Sequence, residues 1–239
     1  MNSNIYEEKY KIISSDVDSH GIAKISSMID LLHKAADRSL IGTGLDKESL
    51  ILQGILWVIA EQNVEIIKLP ILNENITIKT WVNEEFFNFI PRFYEISNDN
   101  ELLLRASSVW AVIDKTSRDT LTPNKCGIAI PAVKTNTELP TLERLQRIEI
   151  QSTYEATVSK KHLDFNNHLN NAQYIGIIDS CNPLVENDGK KIPRKIIARY
   201  SSEAFEGDHL IIKEGVNESS KYYSVDSERG HHLKLRIEY

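Results

Sequence analysis

Asp164, Asn166 and His168 place a carboxylate, an amide and an imidazole at alternate positions of Asp-Phe-Asn-Asn-His-Leu-Asn-Asn-Ala-Gln-Tyr, residues 164–174. In an extended chain alternate side chains share one side, so the spacing predicts that these three project together while Phe165, Asn167 and Leu169 face away. Directly afterwards Tyr174, Ile175, Ile177, Ile178 and Cys181 follow a helical pattern, with Asn170 or Asn171 as its N-cap. The free N–H groups of a helix start favour a developing negative charge, which makes the backbone at Asn170 and Asn171 the expected oxyanion holder. Polar groups converging on such a point are what acyl transfer requires.

The elements that must position this segment occur twice. Tyr154-Glu-Ala-Thr-Val-Ser precedes Asp164, and Tyr10-Lys-Ile-Ile-Ser-Ser precedes Asp16-Val-Asp18-Ser-His20-Gly21. The pattern Asp-x-(Asp/Asn)-x-His thus recurs at a separation of 148 residues, pairing Asp16 with Asp164 and His20 with His168, and points to an internal duplication. In the first copy Ile25, Met28, Ile29, Leu32, Ala35, Ala36 and Leu40 keep helical spacing, and Gly42 and Gly44 stop the helix. Strands are expected over 55–68, 75–85, 88–97 and 102–114, all rich in β-branched and aromatic residues. Residues 115–148, with Pro123, Pro131 and Pro140, read as a connector. The second copy, beginning near Ile150, predicts a helix at about 170–182 and strands near 194–205, 208–216, 220–227 and 231–239, turning at Glu206-Gly207-Asp208 and Glu228-Arg229-Gly230. In the first copy Asp18 stands where the second has its amide, and Gly21-Ile22-Ala23 lacks the Asn-Asn pair. That copy is expected to be non-catalytic.

Composition excludes several classes. With 41% apolar and 26% charged residues in 239, the chain is an ordinary globular protein with length for a real core. A net charge of −6 argues against a general nucleic-acid binder. The start, Met-Asn-Ser-Asn-Ile-Tyr-Glu-Glu, has neither a basic nor an apolar region, and the longest apolar run, 55–60, is too short for a bilayer, so a cytoplasmic protein without a membrane span is expected. Cys126 and Cys181 form no disulfide framework and have no metal spacing. His231-His232 has no ligand companions, Ser201 and Ser202 lack a nucleophile elbow, and there is no Gly-rich phosphate loop. No metal and no cofactor is implied.

The 164–174 segment resembles the Asp-x-Asn-x-His-(Val/Leu)-Asn-Asn-x-x-Tyr motif of the acyl-acyl carrier protein (ACP) thioesterases of plants and bacteria. The resemblance continues through Gly54-Ile-Leu-Trp57, Pro70, Thr80-Trp81, Arg92, Trp110 and Ile113-Asp114. It reaches Tyr200-Ser-Ser-Glu203, where the family carries Tyr-x-x-Glu-Cys and this chain has Ala204 in place of the cysteine. A thiolate nucleophile is therefore not expected, and Cys181, in mid-helix, reads as a small hydrophobe.

The resemblance implies an α+β fold of two tandem hotdog units, each a curved antiparallel sheet wrapped around a long helix. Residues 1–120 would form the first unit with the acyl-chain pocket, 121–148 a linker, and 149–239 the catalytic unit. It implies hydrolysis of fatty acyl-ACP to free fatty acid and holo-ACP. Alternatives are an acyl-CoA thioesterase and a non-catalytic acyl-thioester-binding protein of the same fold. The catalytic set would be Asp164, Asn166, His168 and Glu203. Glu203 is the candidate general base on water, with His168 supporting it and protonating the leaving thiolate. Asn166 would position water or carbonyl, and Asp164 would orient its neighbours or attack directly. The densest basic cluster, Lys190, Lys191, Arg194, Lys195 and Arg199, is the candidate docking patch for acidic ACP. Open sheet edges would admit a homodimer.

Overall fold

The computed structural model describes residues 4–84, 88–133, 145, 149–186 and 191–239. Among the described residues ten strands form one antiparallel sheet. They are β1 (Tyr6–Lys11), β2 (Ile55–Ile66), β3 (Asn75–Val82), β4 (Phe89–Ser97), β5 (Leu102–Asp114), β6 (Ser152–Thr157), β7 (Lys195–Tyr200), β8 (His209–Val216), β9 (Ser220–Ser227) and β10 (Gly230–Glu238). Their spatial order is β1-β3-β4-β5-β2-β7-β10-β9-β8-β6. Counted outward from the middle, β2 answers β7, β5 answers β10, β4 answers β9, β3 answers β8 and β1 answers β6. The duplication read in the sequence is thus a duplication of strand order.

The two halves meet edge to edge. Central strand β2 pairs with β5 on one side and with β7 on the other, from Glu61 opposite Arg199 to Glu65 opposite Lys195. A curved antiparallel sheet around each helix was expected, and the strands of both halves run on as one sheet.

Helix α1 (Ile25–Arg38) buries Ile25, Met28, Ile29, Leu31, Leu32, Ala35 and Ala36. Helix α3 (Asn171–Cys181) buries Ala172, Tyr174, Ile175, Ile177 and Ile178. The helices touch where α3 has no side chain, since a Cβ on Gly176 would stand 3.5 Å from the Cβ and Oγ of Ser26. Apolar residues of both halves merge into one cluster, running from Ile12 and Leu32 to Ile178 and Leu235.

Between them lies α2 (Lys47–Leu52), which the sequence reading passed over. The Asp46 carboxylate accepts the Ser49 N–H at 3.0 Å, an N-cap that compensates for the helix's short length. Of the connector, residues 134–144 and 146–148 lie outside the described residues, while Pro123–Cys126 form a single 3-10 turn.

Candidate active site

Asp164 opens the site loop. Its Oδ1 accepts the backbone N–H groups of Asn166 at 2.8 Å and His168 at 3.1 Å, and its own N–H donates to the His168 carbonyl at 2.8 Å. Asn167 takes a left-handed φ of 61°, which asparagine tolerates better than most residues. The chain therefore turns between Asp164 and His168 and does not run extended, so the alternation expected to align the three side chains is absent. What aligns the site instead is the loop after β7. His168 forms a backbone bridge with Phe205, and the Leu169 N–H donates to the Ala204 carbonyl at 2.8 Å. These contacts bring Glu203 beside the imidazole, with Nδ1 of His168 3.2 Å from Oε1 of Glu203. The Phe205 ring meets the imidazole edge to face at 5.0 Å.

The first half contains the same turn without the chemistry. Asp18 Oδ1 accepts the N–H groups of His20 at 2.9 Å and Ile22 at 3.0 Å, Gly21 has φ 77° in the place of Asn167, and the Ala23 N–H donates to the Pro70 carbonyl at 2.9 Å. Asp18 therefore matches Asp164, and Ile22 matches His168, at a separation of 146 residues. The 148-residue register read from the sequence is off by two. It was drawn in by Asp16, whose structural counterpart is His162. Each accepts the N–H of the residue three before it, Ile13 at 3.0 Å and Ser159 at 3.1 Å. Because the Ala23 N–H meets Pro70 as the Leu169 N–H meets Ala204, Leu69, before Pro70, occupies the place of Glu203. Two apolar residues stand where the second half has its polar pair.

Sequence reasoning missed Arg118. Its Nη2 lies 3.0 Å from Oε2 of Glu203, so both oxygens of that carboxylate are engaged. Arg118 comes from the other half, on the turn after β5. Asp114 Oδ1 accepts the N–H groups of Thr116 and Ser117 at 2.8 Å, the Arg118 N–H donates to the Asp114 carbonyl at 3.0 Å, and Arg118 adopts φ 64°. The turn itself is legible, because Asp, Thr and Ser in this order favour such caps. Its meeting with Glu203 is a product of the sheet order alone. Glu203 keeps 30% side-chain exposure and His168 15%, which leaves the pair reachable but shielded.

The helix start offers one donor, not two. The Asn170 N–H donates to the His162 carbonyl at 3.0 Å, its Oδ1 caps Ala172 N–H at 2.8 Å, and its carbonyl accepts Gln173 N–H at 2.9 Å. Asn170 is thus a structural cap and its N–H is unavailable to an oxyanion. The Asn171 N–H remains without an acceptor among the described residues, as does the Asn166 amide.

The basic cluster is dispersed. Lys190 lies outside the described residues. Lys191 pairs with Glu186 at 2.9 Å and sits over the Tyr239 ring at 4.3 Å, and Arg194 donates to the Ile67 carbonyl at 3.3 Å. Arg199 pairs with fully buried Glu61, at 2.9 Å through Nη2 and 3.2 Å through Nε. Arg199 and Lys195 lie on β7, which is the interior seam of the sheet and not an edge. Arg199 thus holds Glu61 at the seam. Lys160 and Lys161, one turn before the site loop, are exposed. Burial pushes the Cys181 thiol up, against thiolate formation, and Ala204 is fully buried.

Apolar space adjoins α1 in the first half. A crevice of only about 10 Å³ lies between Leu40, Trp57, Ile90 and Trp110, and beside it an open cavity of about 460 Å³ is lined by Tyr6, Thr80 and Trp81, with Leu40, Arg92 and Ile130 shared between the two.

Residues 3–122 match the family model of the acyl-ACP thioesterase N-terminal domain, and residues 145–237 match that of the C-terminal domain. The chain belongs to the acyl-ACP thioesterase family. Among its relatives in that family are a chloroplastic acyl-[acyl-carrier-protein] hydrolase of Cuphea viscosissima, 26% identical over 200 residues, and a chloroplastic palmitoyl-acyl carrier protein thioesterase of Arabidopsis thaliana, 25% identical over 196. The alignments cover 76% and 75% of this chain, which spans about half (48%) the length of each relative. Two solved acyl-ACP thioesterases share the fold. That of Bacteroides thetaiotaomicron has a TM-score of 0.84 at 22% identity, covering 98% of this chain and 97% of its own. The 12:0-ACP thioesterase of Umbellularia californica has a TM-score of 0.82 at 17% identity, covering 100% and 98%. No described helix of this thioesterase family member is long and apolar enough to cross a membrane.

Proposed function

We propose that this chain hydrolyses the thioester of fatty acyl-ACP, releasing free fatty acid and holo-ACP, and that it is built as two tandem hotdog units, residues 1–120 and 149–239. The observation that carries the reading is the contact between His168 Nδ1 and Glu203 Oε1 beside the start of α3. With Nδ1–H donated to the carboxylate, neutral His168 presents Nε2 as a proton acceptor. That nitrogen takes a proton from water as the water attacks the thioester carbonyl, then returns it to the departing thiolate. Glu203 then acts chiefly by holding the imidazole, with Arg118 anchoring its second oxygen. This exchanges the roles first expected of the two residues. The Asn171 N–H and the Asn166 amide are the donors left to meet the oxyanion. Asp164 shapes the loop that presents them. The acyl chain would lie in the space of the first half beyond the end of α1, lined by Leu40, Trp81 and Ile130. ACP would approach over Lys160 and Lys161, whose charges stand exposed beside the site loop.

Thiol release from a panel of acyl-ACPs and acyl-CoAs tests the reading. The wild type is expected to turn over acyl-ACP, and His168→Gln to lose roughly 10²–10⁴-fold in kcat. Equal kcat/KM on acyl-CoA would move the assignment to an acyl-CoA thioesterase. No turnover of any chain length would remove the enzymatic reading and leave an acyl-thioester-binding protein.

A further inference from the structure

Arg92, on β4, is a buried cation without a counter-charge. It is 4% exposed, and its Nη1 donates to Ser39 Oγ at 2.9 Å and Thr80 Oγ1 at 3.2 Å. Among the described residues no carboxylate pairs with it. Asp37, whose charge acts on it, is already paired with Lys47 at 2.7 Å. Burial opposes the guanidinium's charge, and buried cations are as a rule paired.

The second half shows how the same place is closed when no ligand is wanted. Lys221 faces Val216 across β8 and β9 as Arg92 faces Val82 across β3 and β4, so Lys221 is the counterpart of Arg92. Lys221 meets Glu186 at 2.7 Å. Glu214 replaces Thr80 there and accepts from Tyr223 at 2.7 Å, Asn182 at 2.5 Å and Tyr154 at 3.0 Å. That interior carries its own carboxylates. In the first half the cation, Ser39 and Thr80 together line the open 460 Å³ cavity, a volume within the ~300–1,000 Å³ range of small-molecule sites.

We propose that this cavity binds a carboxylate carried on an aliphatic chain, its head on Arg92 and its stem against Leu40, Leu45, Trp81 and Ile130. A planar guanidinium suits two-point contact with a carboxylate. The carboxylate has two sources: a free fatty acid entering from outside, or the far end of an acyl chain that bears a second carboxyl group. The binding stands independently of thioester hydrolysis, since its test needs no turnover.

All three tryptophans of the chain line the two spaces, so tryptophan fluorescence reports occupancy directly. Decanoate and decanol are titrated into wild type, Arg92→Met and Arg92→Lys. Wild type is expected to bind decanoate at least about tenfold more tightly than decanol, and Arg92→Met to lose that preference while keeping decanol binding. Arg92→Met without ligand is expected to melt at or above the wild-type temperature, because it removes an unpaired buried charge. Equal wild-type affinity for acid and alcohol overturns the proposal, whatever the fate of the variants. So does unchanged decanoate binding in a folded Arg92→Met. If that variant does not fold, an acid preference in wild type that Arg92→Lys weakens upholds the site, and one that Arg92→Lys leaves untouched overturns it. Turnover of ω-carboxyacyl against methyl-ended thioesters then separates the sources. A wild-type preference for the former, lost in Arg92→Met, assigns the substrate's own far end. Decanoate binding with no such preference assigns the free acid. Failure of binding with intact turnover leaves the hydrolase standing and removes only this site.

Discussion

Asp164 uses one carboxylate oxygen to gather two backbone N–H groups, and Asp18 does the same in a turn where no imidazole follows. A role shared by both copies is a folding role. Asn in place of Asp164 retains the same accepting oxygen, so Asp164→Asn is expected to keep thiol-release activity within about tenfold of wild type. Asp164→Ala should cost about 1–3 kcal/mol in thermal unfolding. If Asp164 were the attacking nucleophile, the Asn variant would instead lose its activity altogether, and single-turnover measurement of acid release would show it. His168 and Glu203 were legible because their motifs are long and polar. Arg118 was not, because a single basic residue in a turn has no pattern of its own. Which carboxylate it meets is decided only when β5 and β7 come to flank β2.

At the scale of elements, α1 and β2 share a buried polar contact that makes a pH signature. His33 Nε2 lies 3.0 Å from Gln62 Oε1, and burial pulls the imidazole down to about 4, against the opposing pull of that hydrogen bond. The unfolded chain binds the proton near pH 6.5 and the native state only near pH 4. Above pH 6.5 the residue contributes no pH dependence. As pH falls through that window the unfolded state gains protons first, so stability declines, by about 3 kcal/mol at the lower end. His33→Gln is expected to flatten the wild-type dependence of unfolding free energy between pH 7 and 4.5 by a matching amount, and an unchanged slope would place the titration elsewhere. Strands were legible from their β-branched and aromatic runs, with β5 found over Leu102–Asp114 as expected. Helix α2 was not, since six residues give too few turns for periodicity, and its one signal was the cap at Asp46. The first copy's register was misread because two aspartates, Asp16 and Asp18, compete for one place in the pattern.

At the scale of the whole molecule, the halves are welded at β2 and β7, and Glu61 with Arg199 is the charged point of the weld. Glu61 is fully buried while Arg199 keeps 35% side-chain exposure. Arg199→Met should therefore cost roughly 2–3 kcal/mol, below the ~3–5 typical of a fully buried pair, by stranding the carboxylate. Adding Glu61→Met should return most of that loss, measured as denaturation midpoint in a double-mutant cycle. A full additive loss in the double variant would show that the pair is not coupled. Duplication was legible in the sequence, but its joining into one sheet was not, because strand pairing between distant segments leaves no local trace. Covalent fusion also changes what mutation can do. In a symmetric pair of identical chains every substitution is made twice, so an apolar residue at the imidazole position would abolish both sites together. Here position 22 is isoleucine and position 168 is histidine. One copy was free to drift toward holding something while the other kept its reactive groups.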